Sequence, residues 1–169
     1  LIGTAVMMGF IPIASRIYEE KSTEEGDRFT QAMLTSVVLL ALVIVVIGML
    51  FTRPIVRIFA IGFDREALDM AVFFTRVFLW GLLANAAIYV LRGYLQVKER
   101  YVITTMTGFP YNFVLIAGIA LSAWVDLRIL PYAAVIALFA QLFLFIPDLV
   151  RLRFAPRFTL RFDPQMLRD

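Results

Sequence analysis

The chain contains no cysteine and no histidine. That removes disulfides, thiol nucleophiles, Cys/His zinc sites and a histidine proton shuttle. Charge is scarce as well: 17% of the 169 residues are Asp, Glu, Lys or Arg, against about a quarter in an ordinary soluble domain. No Gly-rich phosphate loop, no metal-ligand spacing and no carboxylate pair inside an apolar run is present. No enzyme constellation stands out, and no catalytic residue, metal or cofactor is expected. What fills the space is hydrophobicity, at 62% of residues and a mean hydropathy of +0.86. The composition is that of a membrane protein.

A helix that crosses a bilayer needs about 20 apolar residues. The charge-poor runs predict helices over about 1–17, 29–52, 66–97, 101–125 and 129–150, followed by a cytoplasmic linker over 151–169. Runs such as VVLLALVIVVIGMLF exclude the strict alternation of a membrane β-strand. The expected fold class is all-α: one polytopic transmembrane helix bundle spanning 1–169. Ser22-Thr23-Glu24-Glu25 reads as a helix start. Leu1 lies inside an apolar run with no Met before it, so the chain reads as a fragment of something longer.

Loops alternate sides of the bilayer, and Lys and Arg set the orientation. One side collects Arg16, Lys21, Arg28, Arg92, Lys98, Arg100, Arg151, Arg153, Arg157, Arg161 and Arg168; the other collects Arg53, Arg57, Arg65 and Arg128. The richer side is expected to be cytoplasmic. The tail RLRFAPRFTLRF can meet anionic headgroups at about 1 kcal/mol per basic residue, or simply set topology. Nucleic acid is not an expected partner.

Arg76 is the one charge between Met70 and Leu91. A cation in such a run is costly and by default marks function. Two readings stand. Facing a hydrated cavity, Arg76 would hold a phosphate or carboxylate of a substrate. Alternatively, its stem snorkels outward or reaches Asp69, about 10 Å away along the helix. Asn112 and Gln141 are further substrate-binding candidates, with interhelical packing bonds as the alternative, which also covers Asn85. Pro12, Pro110 and Pro147 can kink helices. With Gly62 they are candidate structural or gating points, although ordinary membrane Pro and Gly usage also accounts for them. Asp148 is expected to pair with Arg151 or Arg153.

Three stretches carry a resemblance. They are Ile2-Gly3-Thr4-Ala5 through Gly9-Phe10-Ile11-Pro12-Ile13; Phe59-Ala60-Ile61-Gly62-Phe63-Asp64 with Phe74-Thr75-Arg76; and Arg92-Gly93-Tyr94-Leu95-Gln96 with Tyr101, Pro110 and Asn112. In order and spacing they resemble the MurJ/MviN family of lipid II flippases, within the multidrug/oligosaccharidyl-lipid/polysaccharide exporter superfamily. Ile61 and Phe109 depart from the family's Pro and Ala. The resemblance implies helices two to six of about fourteen, part of the N-terminal lobe of an inner-membrane flippase. It implies that a C-terminal lobe of the same chain completes the transporter, and that an undecaprenyl-diphosphate-linked precursor moves outward by alternating access. The family's principal cavity arginines fall at positions this sequence does not contain.

Two other functions compete. A drug or cation antiporter of the same superfamily would prefer acidic residues within the spans, and the apolar runs 29–52, 70–91, 101–125 and 129–147 have none. A non-transporting membrane scaffold needs no intramembrane charge and leaves Arg76 as a snorkelling residue.

Overall fold

The computed structural model describes residues 2–155, with side chains from Met7 onward. Arg157, Arg161 and Arg168 of the tail, and the side chains of the first resemblance stretch before Met7, lie outside the described residues. Among the described residues six helices follow one another: α1 (Ile2–Glu20), α2 (Thr23–Phe59), α3 (Arg65–Val97), α4 (Tyr101–Thr105), α5 (Gly108–Trp124) and α6 (Ile129–Arg151). No strand occurs among the described residues. Among the described residues four helical stretches are long and apolar enough to cross a membrane: Thr23–Phe59, Arg65–Val97, Tyr101–Trp124 and Ile129–Arg151.

Helix ends follow local chemistry. The Ser22 hydroxyl caps α2 by accepting from the Glu25 N–H at 3.2 Å, and Asp64 caps α3 by accepting from Ala67 N–H at 2.8 Å; each satisfies a donor the first turn leaves free. α2 is longer than the charge-free run predicts. It passes through Arg53 and Pro54 to Phe59, so residues 53–59, which fall between the expected helices 29–52 and 66–97, are helical. Its 37 residues amount to about 55 Å at helical rise, well beyond the roughly 30 Å apolar core of a bilayer. The turn to α3 rests on Gly62 at φ 91°, with the Phe63 N–H donating to the Ala60 carbonyl at 3.3 Å. Glycine supplies the positive φ the third turn position demands. Ile61 at the second turn position leaves the turn intact.

α3 is the central post, packed on α1, α2 and α6, while α5 packs chiefly on α6. Lipid is as apolar as leucine, so close backbone approach rather than water exclusion holds such helices together. The residues at the crossings fit that demand. A Cβ on Gly93 would lie 2.8 Å from the Phe10 ring, one on Gly81 would lie 2.8 Å from Leu138, and one on Gly118 would collide with Ala133. Large apolar side chains on α2, such as Leu40 and Leu50, point outward and exposed.

The bundle has two chemically distinct ends. At the first, the Tyr18 hydroxyl donates to Asp27 at 2.6 Å, Lys98 Nζ sits 3.7 Å over the Tyr18 ring, and Phe154 packs on Tyr94 at 4.4 Å between ring centroids. Gln31 donates to the Ala155 carbonyl at 2.9 Å. Burial lowers the pKa of the Lys98 ammonium, and the Asp27 charge pulls the other way. At the second end, Arg53 pairs with Asp69 at 3.1 Å and Phe73 meets Tyr132 edge-on. Asp148 is buried and makes no ion pair among the described residues; the three pairs found there are Arg16–Glu20, Arg28–Glu24 and Arg53–Asp69. The expected pairing with Arg151 or Arg153 is not made.

Candidate functional site

A polar cavity of about 500 Å³ opens between α3, the α4–α5 junction and α6. Its first wall is a stripe on α3: Asn85, Ile88, Tyr89 and Arg92. Steps of three and four residues place them on one face of the helix. Leu138 and Gln141 supply the α6 wall by the same spacing.

The third wall exists because a helix is broken. Hydropathy predicts one span from Tyr101, but α4 stops at Thr105 and α5 starts at Gly108. Pro110 has no N–H to give the Met106 carbonyl four residues earlier, and its ring crowds that carbonyl. The Phe109 N–H takes the Met106 carbonyl instead, at 3.0 Å. Threonine hydroxyls serve neighbouring carbonyls: Thr107 donates to Thr104 at 3.0 Å, and Thr105 donates to Tyr101 at 2.8 Å. Irregular backbone at membrane depth is tolerated where it lines a cavity. Here Thr105, Thr107, Gly108 and Tyr111 turn that broken stretch toward the cavity.

Arg92 is the one charged residue among the lining side chains. It is half-buried, and its Nε is fully buried without a hydrogen-bond partner. No hydrogen bond is made by the side chains of Asn85, Tyr89, Tyr111 or Gln141 among the described residues either. The site is a concave surface with an unneutralised guanidinium and several idle donors, which suits an anion.

Of the residues singled out from sequence, Gln141 lines this cavity and Pro110 shapes it. Arg76 does not reach it: it is exposed on α3 and makes no ion pair among the described residues, because Asp69 is engaged by Arg53. Asn112 is exposed on α5, next to Tyr111 but outside the lining. Pro12 and Pro147 are exposed inside α1 and α6, which continue through them. Gly62 serves the α2–α3 turn. Sequence reasoning missed Arg92, which lies inside α3 rather than in the loop with Lys98 and Arg100. The signal available was the Asn85–Tyr89–Arg92 stripe.

A chain built of helices, four stretches of which can cross a bilayer, is a polytopic integral membrane protein. The family described as lipid II flippase MurJ matches residues 1–169, and the chain belongs to that family. The family's function is the transport of lipid II in peptidoglycan synthesis, a flippase rather than an enzyme activity. No curated protein matches the chain.

Proposed function

We propose that the chain forms part of the N-terminal lobe of a flippase that carries an undecaprenyl-diphosphate-linked peptidoglycan precursor outward across the cytoplasmic membrane by alternating access. The observation that carries this reading is a cavity lined by a cation and by hydrogen-bonding side chains without partners, cut into membrane-length helices at the Pro110 break. Apolar drugs need no such lining, and neither does a scaffold.

In this reading residues 1–169 act as one bundle, with the Lys98 end and the tail after Arg151 in the cytoplasm, as the excess of Lys and Arg there favours. Gln141 contacts substrate within the cavity. The exposed faces carrying Arg76 and Asn112 belong against lipid or the C-terminal lobe. Arg76 snorkels: on α3 each Cβ leans toward the helix N-terminus, which for Arg76 is the Arg53 end. Pro12, Pro147 and Gly62 fix helix paths around the moving parts.

The test is expression of the full-length protein that contains this chain, in bacteria depleted of their own lipid II flippase. Restored growth, with lipid II appearing at the outer face of the membrane, is the expected result. Protein that inserts in the membrane and exports cationic drugs, yet leaves lipid II inside, would move the chain to the antiporter class.

A further inference from the structure

We infer that Arg92 is a substrate-contacting residue, the anchor of a phosphate-ester subsite built by α3, the α4–α5 junction and α6. This rests on the flippase reading and adds to it a residue, a ligand chemistry and a division of labour within the cavity.

Arg92 precedes Lys98 by six residues, about 9 Å along the helix. A side chain that only sought the nearer headgroups would have to lean toward Lys98. On α3 the Cβ leans the opposite way, toward the helix N-terminus and the interior of the span. Arg92 lines the cavity, and its Nε is buried with no partner. An ionised group held in an apolar slab without a counter-charge is expensive, and no carboxylate lines the cavity. The missing partner is therefore an anion that arrives from outside the chain.

The hydrogen-bonding inventory narrows its chemistry. Arg92, Asn85, Gln141, Tyr89 and Tyr111 all have N–H or O–H groups free to donate, and the forked guanidinium matches a phosphate in two places at once. The Thr105 and Thr107 hydroxyls have already donated their hydrogens to backbone carbonyls. They retain only lone pairs, which accept from ligand hydroxyls. A site with an excess of donors at one wall and acceptors at the broken helix suits a phosphate ester that carries a hydroxylated group beside it. A cavity of about 500 Å³ falls within the usual range for small-ligand sites.

The chemistry has two sources in a membrane, the prenyl diphosphate of the substrate and the headgroup of a bulk phospholipid, and the test separates them. The purified protein is placed in nanodiscs of phosphatidylcholine and titrated with undecaprenyl diphosphate, with undecaprenol as the phosphate-free probe. Arg92→Gln is expected to weaken diphosphate binding at least about tenfold, the loss of a charge-assisted contact. Arg92→Lys is expected to recover part of it, and Arg76→Gln to leave it unchanged. Undecaprenol should bind all variants alike. Gln141→Leu, which removes a donor without touching charge, gives a smaller loss and serves if the Arg92 variants fail to fold, as judged by thermal unfolding. Equal diphosphate binding by the wild type and Arg92→Gln, or by the wild type and Gln141→Leu when that is the variant measured, overturns the subsite. Displacement of undecaprenyl diphosphate by phosphatidylglycerol at equal concentration also overturns it, in favour of a bulk-lipid seat. Failure of the transport reading looks different: neither the wild type nor any variant restores lipid II export, while Arg92-dependent binding persists.

Discussion

Two arginines ride the same helix and meet opposite fates. Arg76 and Arg92 lie sixteen residues apart on α3, about 24 Å along its axis. Both lean toward the helix N-terminus. For Arg76 that direction leads out, toward the end where Arg53 holds Asp69, and its side chain is exposed. For Arg92 it leads in, toward Tyr89 and Asn85, and its Nε is buried without a partner. Distance from the end of an apolar run is therefore a poor guide to which cation does chemistry. The sense of the helix relative to the nearer interface matters as much.

The sharpest way to break this comparison is to neutralise each cation in turn. Arg92→Gln should slow appearance of lipid II at the outer membrane face by about tenfold or more, and Arg76→Gln should stay within about twofold; equal losses would erase the distinction. Next is the contact between α5 and α6. A larger side chain at Gly118 collides with Ala133 and pries α5 from α6. Gly118→Leu should cost about 1–3 kcal/mol by overpacking, visible as a lower thermal midpoint in detergent.

Pro110→Ala should act more gently. An N–H restored at position 110 can reach the Met106 carbonyl and join α4 to α5, a gain of about 1 kcal/mol for one backbone hydrogen bond. Hydrogen exchange at residues 106–109 should slow, and transport should fall as the wall straightens. The smallest effect is expected at the far end. Arg53 and Asp69 are both more than half exposed, at 61% and 62%, so Asp69→Asn should change stability by less than about 1 kcal/mol. A large loss of transport there would bring Arg76 and its neighbourhood back into the mechanism.

Much of the architecture was legible in the sequence because bilayer thickness imposes length and apolarity directly on each span. The start at Ser22, the turn at Gly62 and the all-α class follow from rules acting within a few residues. The site was less legible, for three physical reasons. Arg92 sits near Lys98 and Arg100, so counting charges by loop absorbs it into a topology signal. The break at Met106 becomes visible only when Pro110 is read through the carbonyl four residues before it. The convergence of Asn85 with Gln141 is a long-range contact between α3 and α6 that no local pattern records. Arg76 stood out because hydropathy reports how apolar a segment is, and says nothing of which way its polar exceptions face.

The absence of cysteine makes the most direct measurement clean, because an introduced thiol reacts against no background. Arg92→Cys and Arg76→Cys are each exposed to a charged, water-soluble methanethiosulfonate reagent in native membranes, and the labelling rates are compared. Fast labelling is expected at position 92, which lines the polar cavity, and slow labelling at position 76, where a short thiol is left at lipid depth. Labelling that is equal at the two positions, or faster at 76, would contradict the assignment of the inward-facing cation to Arg92.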